Sequence, residues 1–186
     1  SFAHIGNFRT FVFQDILRRW VRARGYALDH VMNLTDVDDR IIQQSAAAGQ
    51  SIGEFTEPYI QAFLEDSAAL RLERPERLVK ATGHIGDMVA LIQRLTDRGH
   101  TYVSEGSVYF RVATFPEYGK LSHTDFKGIL DGARVDSDKY DKENARDFVL
   151  WKARKEGEHY WDSPLRPGRP GWHIECSAMS MKYLGE

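Results

Sequence analysis

The chain has 186 residues, 42% of them hydrophobic and 28% charged, with a formal net charge of −2; this profile fits a globular protein long enough to bury a core and excludes one that coats nucleic acid by bulk charge, although a local basic patch stays open. No apolar run reaches the roughly 18–20 residues of a membrane helix, and no signal peptide is visible. A single cysteine excludes an internal disulfide and predicts a reducing, cytoplasmic setting.

In chain order, the spacing of Phe8, Phe11, Val12, Ile16, Leu17, Trp20 and Val21 predicts an amphipathic helix over 7–24. Asn7 is its expected N-cap and Gly25 its expected stop. Arginines 18, 19, 22 and 24 load its last turn, where the helix dipole favours cations, and read as a solvated basic face more readily than as an RNA contact. "YALDHVMNL" (26–34) reads as a strand and "TDVDDRIIQQSAAAG" (35–49) as a helix capped by Thr35 or Asp36. Helices are expected at 53–72 and 84–98, the latter ended by Gly99. "HTYVSEGSVYFRV" (100–112) is a hairpin. Residues 113–147 are polar and highly charged and read as a surface excursion. "FVLWKARK" (148–155) returns to apolar residues, and a Pro/Gly-rich turn then leads into a final helix. Helix, strand, helix within the first fifty residues predicts half of a parallel α/β unit.

Three stretches could carry chemistry. In "AHIGN" (3–7), a His and a Gly stand at a helix start, where outward N–H groups and the dipole favour anions. Gly6 would let a nucleotide approach the backbone, and His4 and Asn7 could donate to phosphate oxygens. "HIGD" recurs at 84–87 inside a helical pattern, where it reads as structural. In "NLTDVDDR" (33–40), Thr35 at a strand's C-terminal edge would face the crevice where α/β folds bind ligands. The acids at 36, 38 and 39 could instead cap the next helix or hold Mg2+ through water. In "GWHIECSAMS" (171–180), Cys176 is open to three readings: a buried core thiol, a nucleophile paired with His173, or one ligand of a metal. The Pro/Gly turn before Trp172 weighs against a regular helix holding both His173 and Cys176.

Taken in order, "HIGN", "GYALDHVMNLTDVDDRII", "GHTYVSEGSVYFRV", "YGKLS", "GARVD", "DFVLWK" and "GRPGWHIECSAM" resemble the class I aminoacyl-tRNA synthetases, specifically the cysteine-dependent family. The resemblance spans essentially the whole chain. It implies an α/β fold: a partial Rossmann-like class I catalytic domain with an inserted connective-peptide subdomain. The first part would occupy 1–85, the insertion 86–166, and the start of the second part 167–186. It also implies ATP-driven formation of cysteinyl-adenylate and transfer to tRNA(Cys), with Mg2+ accompanying ATP and a Zn2+ gripping the substrate thiolate.

Residue by residue, the resemblance makes Cys176 a Zn2+ ligand and Thr35 and Trp172 walls of the cysteine pocket. His4, Gly6 and Asn7 meet ATP, with His4 and Asn7 acting on the transferring phosphate. A soft thiolate binds zinc far better than a hydroxyl does, which would separate cysteine from serine. The signature's second His is Asn7 here, which donates a hydrogen bond but cannot be protonated. The family's other zinc ligands and its Lys-Met-Ser-Lys-Ser loop are expected outside residues 1–186, so the chain, which opens at Ser1, is expected to be a piece of a longer polypeptide. Two other readings accompany this one: a ligase that passes cysteine to an amino sugar, as in mycothiol synthesis, and a non-catalytic nucleotide-binding module.

Overall fold

The computed structural model describes residues 2–123 and 146–185. "GARVD" and most of the charged 113–147 stretch therefore lie outside the described residues. The fold is α/β and divides into two compact units, 1–83 and 84–186.

In the first unit, α1 (Ile5–Ala23), β1 (Val31–Leu34), α2 (Asp39–Ala47), α3 (Ile52–Ala69) and β2 (Arg77–Lys80) follow in order. Strands β1 and β2 pair in parallel, from Val31↔Arg77 to Leu34↔Lys80, as the helix-strand-helix pattern predicted. A parallel pair needs a long crossover, and α2 and α3 supply it. β1 is shorter than the 26–34 stretch that reads as a strand. β2 has no sequence counterpart, because only Leu78 and Val79 interrupt its flanking charges, too short a signal for a strand.

Helix α1 starts two residues earlier than expected. Its N-cap is His4, and Asn7 is the third helical residue. It ends as expected, with Gly25 at φ 84°. The Ala48 C-cap closes α2, but its N-cap is Asp38, whose Oδ1 accepts from Ile41 N at 2.6 Å; neither Thr35 nor Asp36 has that role.

The buried face of α1 also departs from its apolar pattern. Phe8 is buried and stacks on Phe63 at 5.8 Å, with Phe11 on the same ring at 5.0 Å. Farther along, the buried residues are Asp15 and Arg18, whereas Phe13, Ile16 and Trp20 stand 58–66% exposed. The reason is electrostatic. Arg18 donates bidentately to Glu76, at 2.7 and 3.0 Å, and to Arg74 O at 3.2 Å. Arg22 pairs with Glu73 at 2.6 Å and with Glu76. Arg19 holds Asp15 at 2.7 Å, and Asp15 Oδ1 accepts from Glu73 N at 2.8 Å. Glu76 Oε2 further accepts from His30 N at 2.8 Å. Arg18 is thus buried in a clamp on the 71–77 segment, which Arg19 and Arg22 join from the surface, while Arg19, Arg22 and Arg24 keep the solvent exposure the sequence predicted.

This clamp sets the ionisation of its acids. The Arg18 hydrogen bond pulls the Glu76 carboxyl down to about 2 against the cost of its burial. Burial would raise Asp15, but the bonds from Arg19 and the Glu73 amide outweigh it and leave the carboxyl below its ordinary value.

The second unit holds α4 (Ile85–Asp97), β3 (Thr101–Ser104), β4 (Ser107–Phe110), β5 (Phe148–Ala153), β6 (Gly168–Pro170) and α5 (Trp172–Leu184). The strands form an antiparallel sheet in chain order. The predicted hairpin is β3–β4, turned by Glu105 and Gly106, both at positive φ (43° and 80°). The core is Met88 and Ile92 of α4, Tyr109, Leu150 and Trp151 of the sheet, and Ile174, Ala178 and Met179 of α5. The Trp151 indole N–H donates to Arg166 O at 3.0 Å. β6 passes so close to β5 that a Cβ on Gly168 would sit 2.2 Å from Lys152 O, and one on Gly171 2.1 Å from Val149 O. These contacts explain why the Pro/Gly-rich turn needs glycine at both places.

Candidate functional site

The two "HIG" strings differ in what their histidines do. His84 ends a 3-10 turn (Ala81–His84) that runs into α4, in keeping with the helical pattern expected there; it caps α4 without a side-chain cap bond, is buried, and its Nε2 meets Tyr183 Oη at 2.8 Å. That partner makes the second string structural. His4 is exposed and closes a reciprocal capping box. Its Nδ1 accepts from Gly6 N at 3.1 Å, and Asn7 Oδ1 accepts from His4 N at 3.0 Å.

Two consequences follow. Because Nδ1 accepts, the proton of the neutral ring sits on Nε2, which is left as an outward donor. The amide of Asn7, whose oxygen is used in the cap, keeps its NH2 group for the same purpose. The Gly6 and Asn7 N–H groups, by contrast, are spent on His4 Nδ1 and His4 O (2.8 Å), so a ligand here would meet side chains more than the bare helix end. Gly6 also has a reason of its own: a Cβ would come within 2.9–3.0 Å of the His4 ring.

Asn7 and Thr35 line one cleft of about 290 Å³, walled by Phe2, Ala3, Phe11, Met32, Asn33, Leu34, Tyr59 and Phe63. The cleft opens at the C-terminal end of the parallel strands, where α/β folds place ligands. Leu34, Thr35, Tyr59 and Phe63 also line an adjoining cleft of about 390 Å³ with Asp36, Asp38 and Arg40. Sequence reasoning missed Asn33, whose Nδ2 donates to Thr35 Oγ1 at 3.1 Å. Its two-residue spacing from Thr35, the same-face period of a strand, was the available signal. Tyr59 and Phe2, 5.0 Å apart ring to ring, were missed with no comparable signal. Asp36 and Asp38 are each committed elsewhere, Asp36 to Thr82 and Asp38 to the α2 cap. The Mg2+ reading of these carboxylates therefore finds no support in their placement.

In the second unit, Trp172 and Cys176 lie four residues apart on α5, on one face of a regular helix, and both are exposed. His173 belongs to the same helix, contrary to the expectation that the turn would prevent it; its ring packs 4.6 Å from Phe148. The buried-core reading of Cys176 is overturned by its exposure. Partial burial of the sulfur, reinforced by the charge of Glu175, pushes its thiol above the ordinary value. An activated nucleophile needs the opposite shift. Among the described residues no three His, Cys, Asp or Glu side chains converge to hold a metal ion. Cys176 thus supplies one accessible sulfur and not, with its neighbours, a zinc site.

The sequence matches the family model of the tRNA synthetases class I (C) catalytic domain over residues 1–186. The chain belongs to that family. Among curated relatives of this class I synthetase chain, the cysteine–tRNA ligase of Solibacter usitatus (strain Ellin6076) is 64% identical over 186 residues, covering 100% of the chain and 40% of that protein. The cysteine–tRNA ligases of Koribacter versatilis (strain Ellin345) and Brachyspira hyodysenteriae (strain ATCC 49526 / WA1) are 60% and 53% identical over the whole chain and 38% and 40% of their own lengths. The class I synthetase chain thus spans about 40% of the curated relatives it matches.

Proposed function

We propose that the chain is the N-terminal catalytic part of a cysteine–tRNA ligase that activates cysteine with ATP and transfers it to tRNA(Cys). The observation that carries this is the match of the whole chain to about 40% of a cysteine–tRNA ligase at 64% identity. The cleft shared by Asn7 and Thr35 supports it from the geometry.

In the first half-reaction a carboxylate oxygen of cysteine attacks the α-phosphorus of ATP, and the bond to pyrophosphate breaks. In the second, a ribose hydroxyl at the tRNA 3′ end attacks the acyl carbon and AMP leaves. Neither half-reaction needs a covalent enzyme nucleophile; both need donors where charge builds. His4 Nε2–H and the Asn7 NH2 are those donors, held by their reciprocal cap. Asn7 donates without carrying a proton to give away, so it stabilises charge and does not act as an acid. Thr35, its hydroxyl oriented by Asn33, serves amino-acid recognition, and the family resemblance assigns Trp172 to the same task. Cys176 would be one ligand of a Zn2+; when bound, that ion would supply a soft Lewis acid for the substrate thiolate. Residues 86–166 are the connective insertion, and the setting is cytoplasmic. No described helix is long and apolar enough to cross a membrane.

Cysteine-dependent ATP–pyrophosphate exchange by the full-length parent tests the first step, and absence of exchange would refute the reading. Charging assays with tRNA(Cys) and with an amino-sugar acceptor test the second. Transfer to the sugar alone would replace the tRNA reading with the mycothiol-type one.

A further inference from the structure

The ladder of the two parallel strands ends at the pair Leu34↔Lys80. On the β1 side a very tight turn follows: Asp36 N donates to Leu34 O at 2.9 Å, which puts Thr35 at the centre of a three-residue turn. One backbone bond does not hold an exposed turn residue in place, so the flanks must. Upstream, Asn33 Nδ2 donates to Thr35 Oγ1 at 3.1 Å. Downstream, the Asp36 carboxylate spends both oxygens on one residue across the sheet. Oδ1 accepts from Thr82 N at 2.9 Å and Oδ2 from Thr82 Oγ1 at 2.6 Å. Asp36 is 6% exposed and the next residue, Val37, is 3% exposed. Bonds to an ionised acceptor are about twice as strong as neutral ones, and burial keeps water from competing for them.

We infer that the Asp36–Thr82 clasp is a positioning device for amino-acid recognition: it fixes the Thr35 hydroxyl in the cleft that Thr35 shares with Asn7. The inference rests on Thr35 lining the cysteine pocket, as proposed above. Thr35 Oγ1 already accepts from Asn33, so its own proton is free to be donated to a ligand. Such a donor is useful only while its oxygen keeps its place, since displacement by about 1 Å can cost on the order of a hundredfold. Asp36 itself is a positioning residue, because its carboxylate is buried on Thr82. The histidine cap of α1 is held separately, by its own reciprocal bonds and by Phe8 on Phe63. Loss of the clasp should therefore move Thr35 and leave His4 and Asn7 where they are, so the defect should fall on cysteine and spare ATP.

The test measures ATP–pyrophosphate exchange by the full-length parent in wild-type, Asp36→Ala, Asp36→Asn, Thr82→Val and Thr35→Ala forms. Asp36→Ala and Thr82→Val are expected to raise the cysteine KM about tenfold, the effect of one lost bond to a charged group. The ATP KM should stay within about twofold. Asp36→Asn should recover cysteine KM to within about threefold, because its oxygen still accepts from Thr82 N–H and its NH2 can donate to the Thr82 hydroxyl. Cysteine KM unchanged in Thr82→Val, or both KM values rising together, would overturn the clasp; Thr82→Val and Asp36→Asn decide the matter even if Asp36→Ala fails to fold. Thr35→Ala separates the layers. If it leaves cysteine KM unchanged, the pocket role of Thr35 falls and the clasp with it. If it raises cysteine KM while Asp36→Ala and Thr82→Val do not, the clasp alone falls.

Discussion

Replacing Glu76 with Gln should loosen the hold of α1 on the 71–77 segment by an amount the structure sets. Glu76 receives two Arg18 bonds and the His30 amide, and its carboxyl lies at about 2 where 4.5 is ordinary. At about 1.36 kcal/mol per pH unit, that gap sets a ceiling near 3 kcal/mol. The Glu76 side chain is 27% exposed and that of Arg22, its second partner, 43%, so water screens part of the interaction and about 1–2 kcal/mol should survive. The sign follows from a depressed carboxylate. Its stabilisation is complete above pH 4.5, shrinks as pH falls, and is gone below about pH 2. Native-state hydrogen exchange of the His30 amide, whose N–H ends on Glu76, reads this locally. Glu76→Gln should speed that exchange about 5- to 30-fold at pH 7, and the ratio should narrow sharply near pH 2.5. A change under about twofold at pH 7, or an equal ratio at both pH values, would refute the reasoning.

The exposed α1 residues Phe13, Ile16 and Trp20 predict that the isolated 186-residue chain binds an apolar dye, and that Phe13→Glu with Ile16→Glu lowers the signal; a dye-excluding wild-type chain would contradict this. Gly171→Ala should destabilise the second unit by about 1–3 kcal/mol in thermal or urea unfolding, because its methyl would meet Val149 O; an unchanged midpoint would show that β6 can shift without cost. Iodoacetamide should label Cys176 in the native chain, with a pH midpoint above the ordinary thiol value; protection from labelling, or a midpoint near 7, would contradict its exposure and its raised thiol pKa. Cys176→Ser in the full-length parent should abolish most cysteine activation while changing ATP affinity little, and unchanged exchange kinetics would refute its role as a ligand.

Elements with a long or paired signal were legible in the sequence. α1, α3, α4 and the β3–β4 hairpin stand where periodicity and turn glycines put them. β2 was not legible, because two apolar residues between an Arg and a Lys carry no period. The orientation of α1 was misread for a related reason. Its apolar stripe is real, but Arg18 and Asp15 win the inner face through Glu73 and Glu76, partners some fifty residues away that no local window contains. At the site, the cap of α1 was misassigned by three residues because His is a poor N-cap on propensity alone; here it succeeds because Gly6 leaves room for its ring. The sequence offered Asn7 at a helix start and Thr35 at a strand edge as separate candidates; that the two line one cleft depends on how α1 packs beside β1, which no local pattern contains. The Asp36–Thr82 bonds depend on strand register and were invisible until β1 and β2 were paired.

Helix α1 also works mechanically. Its basic clamp at Arg18 lies fourteen residues from His4, about 21 Å along a rod that rises 1.5 Å per residue. A stiff rod pivoted at one end magnifies small rotations at the other: a tilt of about 3° at the clamp would swing the His4 ring by about 1 Å. Six charged side chains at the far end of the helix thereby bear on the aim of His4 and Asn7.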